Sequence, residues 1–236
     1  MERRRAACLR AGHAETFAEL EQKSIHDRST SERTLSALLI GVTRFFRDQH
    51  VFSDLATRLP SLHARRRRLN ILCVACSDGQ EPYSIAMLLA DLGLLASSRI
   101  LGIDRREDAI RAAHAGRYPL ECASDIAADR LEAYTDLHAA SDSIRIRPEL
   151  RSVCTFVVAD AFHLPLPAHE RFDLILCRNL AIYLQPEASM QLWESLVQRL
   201  EPGGLLVVGK AERPSPCTPL VRTGPCIYQR GEGAPS

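Results

Sequence analysis

Apolar residues change their spacing near position 65 of the 236-residue chain. Ahead of it, over Glu15–Leu59, they recur at helical intervals: Leu35, Leu38, Leu39 and Val42 fall three and four apart, behind Ser29, Thr30 or Ser31 as a candidate cap. Beyond it, short runs of leucine, isoleucine and valine alternate with helix-length stretches, the pattern of a parallel sheet with crossover helices. Leu69–Ala75, Ile100–Ile103, Cys154–Ala159, Phe172–Cys177 and Leu205–Val208 are read as strands. Among the helices, Pro82–Leu95 sets Ile85, Leu88, Leu89 and Leu92 on one face, Glu107–Ala115 is closed by Gly116, and Pro186–Leu200 is amphipathic. Pro119–Glu149 mixes a helix around Leu131–Leu137 with an alternating Ile144–Ile146 piece. Pro202-Gly203-Gly204 is expected to turn, and Cys226-Ile227-Tyr228 to add an antiparallel strand. The expected fold is a doubly wound α/β domain over residues 65–236 behind a short helical N-terminal subdomain over residues 1–64, with Arg65–Arg68 as a solvated linker.

Composition narrows the class. Hydrophobic residues make up 46% and charged residues 25%, which suits a chain with a packed core and excludes a disordered one. Thirty basic residues against 29 acidic ones leave a net charge of +1, which argues against electrostatic work on nucleic acid. Glu15 and Glu19 break any apolar leader in the first twenty residues, and no stretch reaches the ~18–20 apolar residues of a membrane span. A cytoplasmic protein with reduced thiols and no direct membrane insertion is expected. Cys73-x-x-Cys76 lacks a second pair at zinc spacing, so the pair reads as small buried residues near a strand end and no metal is expected.

Candidate chemistry sits where an open α/β sheet places it, beyond the carboxyl ends of the strands. The first such loop, Ala75–Pro82, holds one glycine, Gly79, too few for a dinucleotide pyrophosphate. The chain's lysines, Lys23 and Lys210, leave no phosphate-binding loop lysine. A nucleoside-like cofactor without a phosphate chain remains, and S-adenosyl-L-methionine fits: Asp104 ends the second strand where a ribose is held, and Asp78 and Glu81 suit the cation-bearing amino-acid portion. A lesser alternative makes Asp104 a helix cap for the following segment. Asp160-Ala161 follows a later strand where an adenine amino group is recognised, or is simply a turn.

Several motifs then occur in a telling order: TRFFR at Thr43–Arg47, SDGQEPYS at Ser77–Ser84, Asp104, AHAGRY at Ala113–Tyr118, CRNLAIYL at Cys177–Leu184 and PGGLLVVGKAE at Pro202–Glu212. In these the chain resembles the CheR-type chemotaxis protein-glutamate O-methyltransferases. The resemblance implies a Rossmann-like class I methyltransferase sheet and methyl transfer from S-adenosyl-L-methionine to glutamate side chains, leaving S-adenosyl-L-homocysteine. It implies a cofactor pocket lined by Thr43, Arg47, Glu81, Asp104, Asp160, Ala161, Arg178 and Asn179, with Arg47 and Tyr183 facing the transfer centre as catalytic residues. It implies as partner a methyl-accepting chemoreceptor or similar helical signalling protein, and a monomeric enzyme.

Departures from the family pattern are Asp78 for a threonine, Gln80 for the first glutamate of a pair, Asp160 for an asparagine and Gly41 for an asparagine. About forty residues precede TRFFR, so the receptor-docking helical domain is expected to be shortened, and Leu131–Leu150 to hold a reduced form of a small β-subdomain. Two other readings stay open: a small-molecule methyltransferase on the same fold, and a non-catalytic cofactor-binding regulator or partner-binding module.

Overall fold

The computed structural model describes residues 9, 12–27, 30 and 43–232. The chain divides into two compact units, Met1–Thr43 and Arg44–Ser236. In the first, helix α1 (Phe17–His26) is started by Thr16, whose hydroxyl accepts the Glu19 N–H at 3.2 Å, and Glu19 also pairs with Lys23 one turn on at 2.7 Å. Leu20 is its buried residue, packed against Leu9 and Ala14. Thr30 is tied to the Asp27 carboxylate through both its N–H and its hydroxyl. The expected helical positions Leu35, Leu38, Leu39 and Val42 lie outside the described residues, as do Ser29, Ser31 and Gly41.

The second unit opens with helix α2 (Gln49–Arg66), which buries Val51, Phe52, Leu55, Leu59 and Leu62. That stripe belongs to the same core as the sheet, and the second compact unit starts at Arg44, 21 residues ahead of position 65. The arginine run is not a linker. Arg65 and Arg66 form the last turn of α2, and Arg67 closes it with a left-handed backbone (φ +60°). Arg66 reaches Asp173 at 3.4 Å and Glu201 at 3.6 Å and donates to the Pro202 carbonyl at 2.8 Å. The physical reason is Asp173, a buried acid whose carboxyl burial pushes upward in pKa and which needs a counter-charge.

Further along the chain come β1 (Leu69–Val74), α3 (Gln80–Asp91), β2 (Ser98–Asp104), α4 (Glu107–Ala115), β3 (Arg117–Pro119), α5 (Ala128–Tyr134), β4 (Thr135–His138), β5 (Ser143–Ile146), α6 (Pro148–Val153) and β6 (Cys154–Val158). After these follow β7 (Phe172–Cys177), α7 (Pro186–Arg199), β8 (Leu200–Val208), β9 (Leu220–Arg222) and β10 (Ile227–Arg230). The main sheet runs β6-β2-β1-β7-β8-β10-β9, parallel through β8 and antiparallel for the last two. The order moves outward from β1 through β2 to β6 and then returns to β7 on the other side of β1. This is the doubly wound α/β arrangement, and its switch point lies between β1 and β7. One face of the sheet packs against α2, α3, α4 and α6; the other is covered by α7 through Leu192, Trp193 and Leu196. β7 is buried along its whole length, as befits a central parallel strand with both faces covered.

Three details depart from the periodicity reading. The Pro202-Gly203-Gly204 turn is absorbed into β8: pairing with β7 jumps from Phe172↔Leu200 to Leu174↔Leu205, and Gly203 takes φ +75° in the bulge. The predicted helix around Leu131–Leu137 ends at Tyr134 and gives way to β4. With β3 and β5 this strand makes a separate antiparallel sheet, β3-β5-β4. Lastly, α3 begins at Gln80, two residues early, because Gly79 turns the chain with φ +93°. Among the described residues no helix is long and apolar enough to cross a membrane.

Candidate active site

The loop leaving β1 is backbone-strained. Ala75 (φ +54°) and Ser77 (φ +52°) are left-handed although neither is glycine, and Gly79 completes the turn into α3. Such conformations cost of order 1 kcal/mol each or more and persist where surroundings over-determine them. Phe46 (φ +49°), Asp48 (φ +63°) and Asn179 (φ +60°) add three more on the adjoining loops.

The surroundings are the sequence motifs themselves. A Cβ on Gly79 would stand 2.9 Å from the Ala113 Cβ and 3.0 Å from the Tyr118 hydroxyl, so glycine is required there. Tyr118 donates to the Asp78 carbonyl at 2.6 Å and stacks edge-on against Phe45, with ring centroids 5.0 Å apart. Ser84 donates its hydroxyl to the Gln80 carbonyl at 2.7 Å and accepts the Phe46 N–H at 2.9 Å, which fixes the TRFFR loop to the start of α3. Beneath the loop, Cys73 and Cys76 are buried thiols, their pKa pushed well up by burial.

Arg178, at the exit of β7, joins three elements. Its Nη1 donates to the Glu81 carboxylate at 2.9 Å; its Nη2 donates to the Arg47 carbonyl at 3.0 Å and to Asp48 Oδ2 at 2.5 Å. Asp48 Oδ1 in turn meets Lys210 Nζ at 2.7 Å. Burial opposes the Asp48 charge, but the Lys210 hydrogen bond and the charges of Arg178, Lys210 and Arg47 outweigh it and hold the carboxyl below its ordinary value. The Arg178 side chain is only 3% exposed, so it works as an internal clamp, with its Nε left unpartnered. Glu212, 3% exposed, is a second clamp: Oε2 accepts the N–H groups of Asn179 (2.8 Å) and Gly209 (2.6 Å), and Oε1 that of Ala181 (2.7 Å). It stitches the end of β8 to the loop bearing Arg178, Asn179 and the 51%-exposed Tyr183.

On the other side of β1, Asp104 accepts the Ser77 N–H at 2.9 Å through Oδ2 and the Arg106 N–H at 3.0 Å through Oδ1. It does not cap α4, whose N-cap is Arg106. Arg106 also donates to Ser77 Oγ at 2.8 Å and approaches Asp78 at 4.0 Å. Burial pushes the Asp78 carboxyl upward, with Arg106 opposing. The Ala159 N–H bonds the Asp104 carbonyl at 3.0 Å, which brings Asp160-Ala161 alongside; Asp160 accepts the Phe162 N–H at 2.8 Å in a side-chain turn.

Seven of the eight expected pocket residues therefore stand on the carboxyl ends of β6, β2, β1 and β7 or on the loop clamped to them. The eighth, Thr43, ends the first unit, and the site described here is built from Arg44 onward. A half-open cavity of about 490 Å³, lined by Phe46, Phe52, Leu88, Ile126 and Arg130 among others, lies off this line and contains none of the pocket residues.

The sequence profile of the CheR methyltransferase S-adenosyl-L-methionine-binding domain matches residues 41–219. The chain belongs to the CheR methyltransferase family. Chemotaxis protein methyltransferase 2 of Pseudomonas aeruginosa is 32% identical over 233 residues, 95% of this chain and 81% of that one. The chemotaxis protein methyltransferase of Vibrio parahaemolyticus is 30% identical over 209 residues, 83% and 74% of the two chains. That of Escherichia coli is 33% identical over 190 residues, 75% of this chain and 63% of that one.

The cofactor of this CheR family member is S-adenosyl-L-methionine, and the donor set fits it. Glu81 commits one oxygen, Oε2, to Arg178, which leaves acceptor capacity for an ammonium group. Asp104, buried at the end of β2, accepts twice through Oδ1 and once through Oδ2, which leaves Oδ2 one acceptor site for a ribose hydroxyl. The Gln80 side chain is buried with Oε1 unpartnered, and a neutral amide is less costly to bury than a charge. Motif reading passed over Asp48, Arg106, Lys210 and Glu212. Glu212 had a signal, since it closes the PGGLLVVGKAE motif; the pairing of Asp48 with Lys210, 162 residues apart, had none.

Proposed function

We propose that this chain transfers a methyl group to glutamate side chains of a chemoreceptor-like protein, forming glutamyl methyl esters, as a monomer in the cytoplasm. The observation that carries this reading is the Glu81–Arg178–Asp48–Lys210 chain of ion pairs at the switch point, in a member of a chemotaxis methyltransferase family. The unit Arg44–Ser236 is the catalytic part, so it starts ahead of residue 65. Arg47, Glu81, Asp104, Asp160, Ala161 and Asn179 would hold the cofactor, with Glu81 at its ammonium and Asp104 at its ribose.

When bound, the cofactor supplies a methyl group on a positively charged sulfur. An acceptor glutamate is already ionised at neutral pH, so this chain has no proton to remove from it. The residues' task is alignment: Arg178 and Glu212 stay put and fix the loops carrying Glu81, Arg47, Asn179 and Tyr183. Arg47 would orient the acceptor carboxylate, and the Tyr183 hydroxyl would sit beside the reacting atoms. Holding two reactants in line is itself worth several kcal/mol of barrier.

The test supplies tritiated S-adenosyl-L-methionine with a chemoreceptor signalling domain. Alkali-labile label on the protein, strongly reduced in Arg47→Ala and Tyr183→Phe, is expected. Label on a soluble acceptor instead points to a small-molecule methyltransferase, and S-adenosyl-L-homocysteine binding without any transfer points to a regulator.

A further inference from the structure

The charged groups around the switch point are mostly spent on one another. Arg178 is held by Glu81 and Asp48, and Arg106 by Asp104 and Ser77. Lys210 differs. Its side chain is 63% exposed, and the contact found for its ammonium is Asp48, which leaves donors facing outward from a group that has three. It is also held in place. Glu212, two residues on, accepts the Gly209 N–H immediately before Lys210 and the Ala181 N–H immediately before Ile182 and Tyr183. Ile182 (46% exposed) and Tyr183 (51% exposed) are exposed side chains that follow Ala181 on the loop held by the same clamp.

The carboxylates Asp48, Asp78, Glu81 and Asp104 are balanced by Arg178, Arg106 and Lys210, and of these cations Lys210 is the exposed one. An exposed cation at the mouth, acting together with Arg47, favours a charged acceptor over a neutral one.

We infer that Lys210 pairs with the acceptor carboxylate and sets the preference for an ionised glutamate over its amide, with Ile182 and Tyr183 as the apolar contact beside it. This rests on the methyl-transfer reading of the same site and adds the residue that selects the substrate's charge.

The test is a binding measurement first. The full chain saturated with S-adenosyl-L-homocysteine is titrated with two helical fragments of a chemoreceptor signalling domain, one with a single acceptor glutamate and one with glutamine there. Wild type is expected to bind the glutamate form about tenfold more tightly. Lys210→Met is expected to bind both forms equally, the ratio being read within each chain at its own saturating S-adenosyl-L-homocysteine, and Lys210→Arg to keep the preference. A Lys210→Met chain that retains the wild-type ratio, or a wild type that prefers neither form, overturns the inference. Ester formation on the glutamate fragment is then assayed separately. Its absence alongside an intact, Lys210-dependent preference counts against the methyl-transfer reading alone, whereas its presence with an unchanged ratio in Lys210→Met counts against Lys210 alone.

Discussion

The Tyr118 hydroxyl donates to the carbonyl of Asp78 at 2.6 Å, so one hydrogen bond ties the small antiparallel sheet to the strained loop that leaves β1. Burial pushes the Tyr118 phenol well up in pKa, so it remains a donor across the working pH range. Tyr118→Phe keeps the ring contacts with Phe45 and Tyr83 and leaves the Asp78 carbonyl without this donor. The expected cost is about 1 kcal/mol of stability in urea unfolding, with S-adenosyl-L-homocysteine affinity falling several-fold. Unchanged affinity would show that the loop holds its shape without the small sheet.

Glu212 satisfies three backbone N–H groups from two loops. Glu212→Ala strands all three in a buried setting and is expected to cost about 3 kcal/mol or more. Glu212→Gln keeps one acceptor oxygen and is expected to cost roughly half of that. Denaturant midpoints of the two variants decide it: equal losses contradict a role through the count of satisfied donors.

The Glu81 carboxylate has two tasks, balancing Arg178 and offering an acceptor to the cofactor. Glu81→Gln preserves shape and removes the charge. Arg178 still has Asp48, so the fold should survive, while S-adenosyl-L-homocysteine binding by calorimetry is expected to weaken about tenfold or more. Full affinity in this variant would remove Glu81 from the cofactor site.

Asp48 gives a pH signature with a defined sign. Its folded-state carboxyl is held below the ordinary value, so its stabilisation is present above about pH 4 and is lost as pH falls below that. Thermal midpoints of Asp48→Asn should therefore fall less steeply than wild type between pH 5 and 3. Asp78 has the opposite sign: burial raises its carboxyl, so Asp78→Asn should gain relative to wild type as pH rises through the range just above the ordinary aspartate value. Parallel curves for all three proteins would contradict both assignments.

Local pattern carried most of the fold. The Leu69, Ile100, Phe172 and Leu205 runs lie in largely buried strands of the main sheet, which read as nearly continuous apolar runs, whereas the Cys154 run forms the edge strand β6, where Phe156 alone is buried. Where tertiary partners decided the outcome, the pattern misled. Asp173 recruits Arg66 and turns an apparent linker into the end of α2, and the β7 pairing carries β8 through a Pro-Gly-Gly that looks like a turn. The site was legible wherever a motif held it, as with Glu81, Arg178 and the Ser84 hydroxyl that fastens Phe46. It was illegible where two distant charges met: nothing local to Asp48 or to Lys210 announces the other.

The left-handed residues at positions 46, 48, 75, 77 and 179 limit how this enzyme can be made hardier. Glycine relieves such backbone strain, but at Phe46, Asp48 and Ser77 it would delete a packed ring, an ion pair or a hydroxyl acceptor, and at Asn179 a proposed cofactor contact. Ala75 has only a methyl to lose. Thermostability and chemistry are thus separable at one of the five positions and fused at the other four.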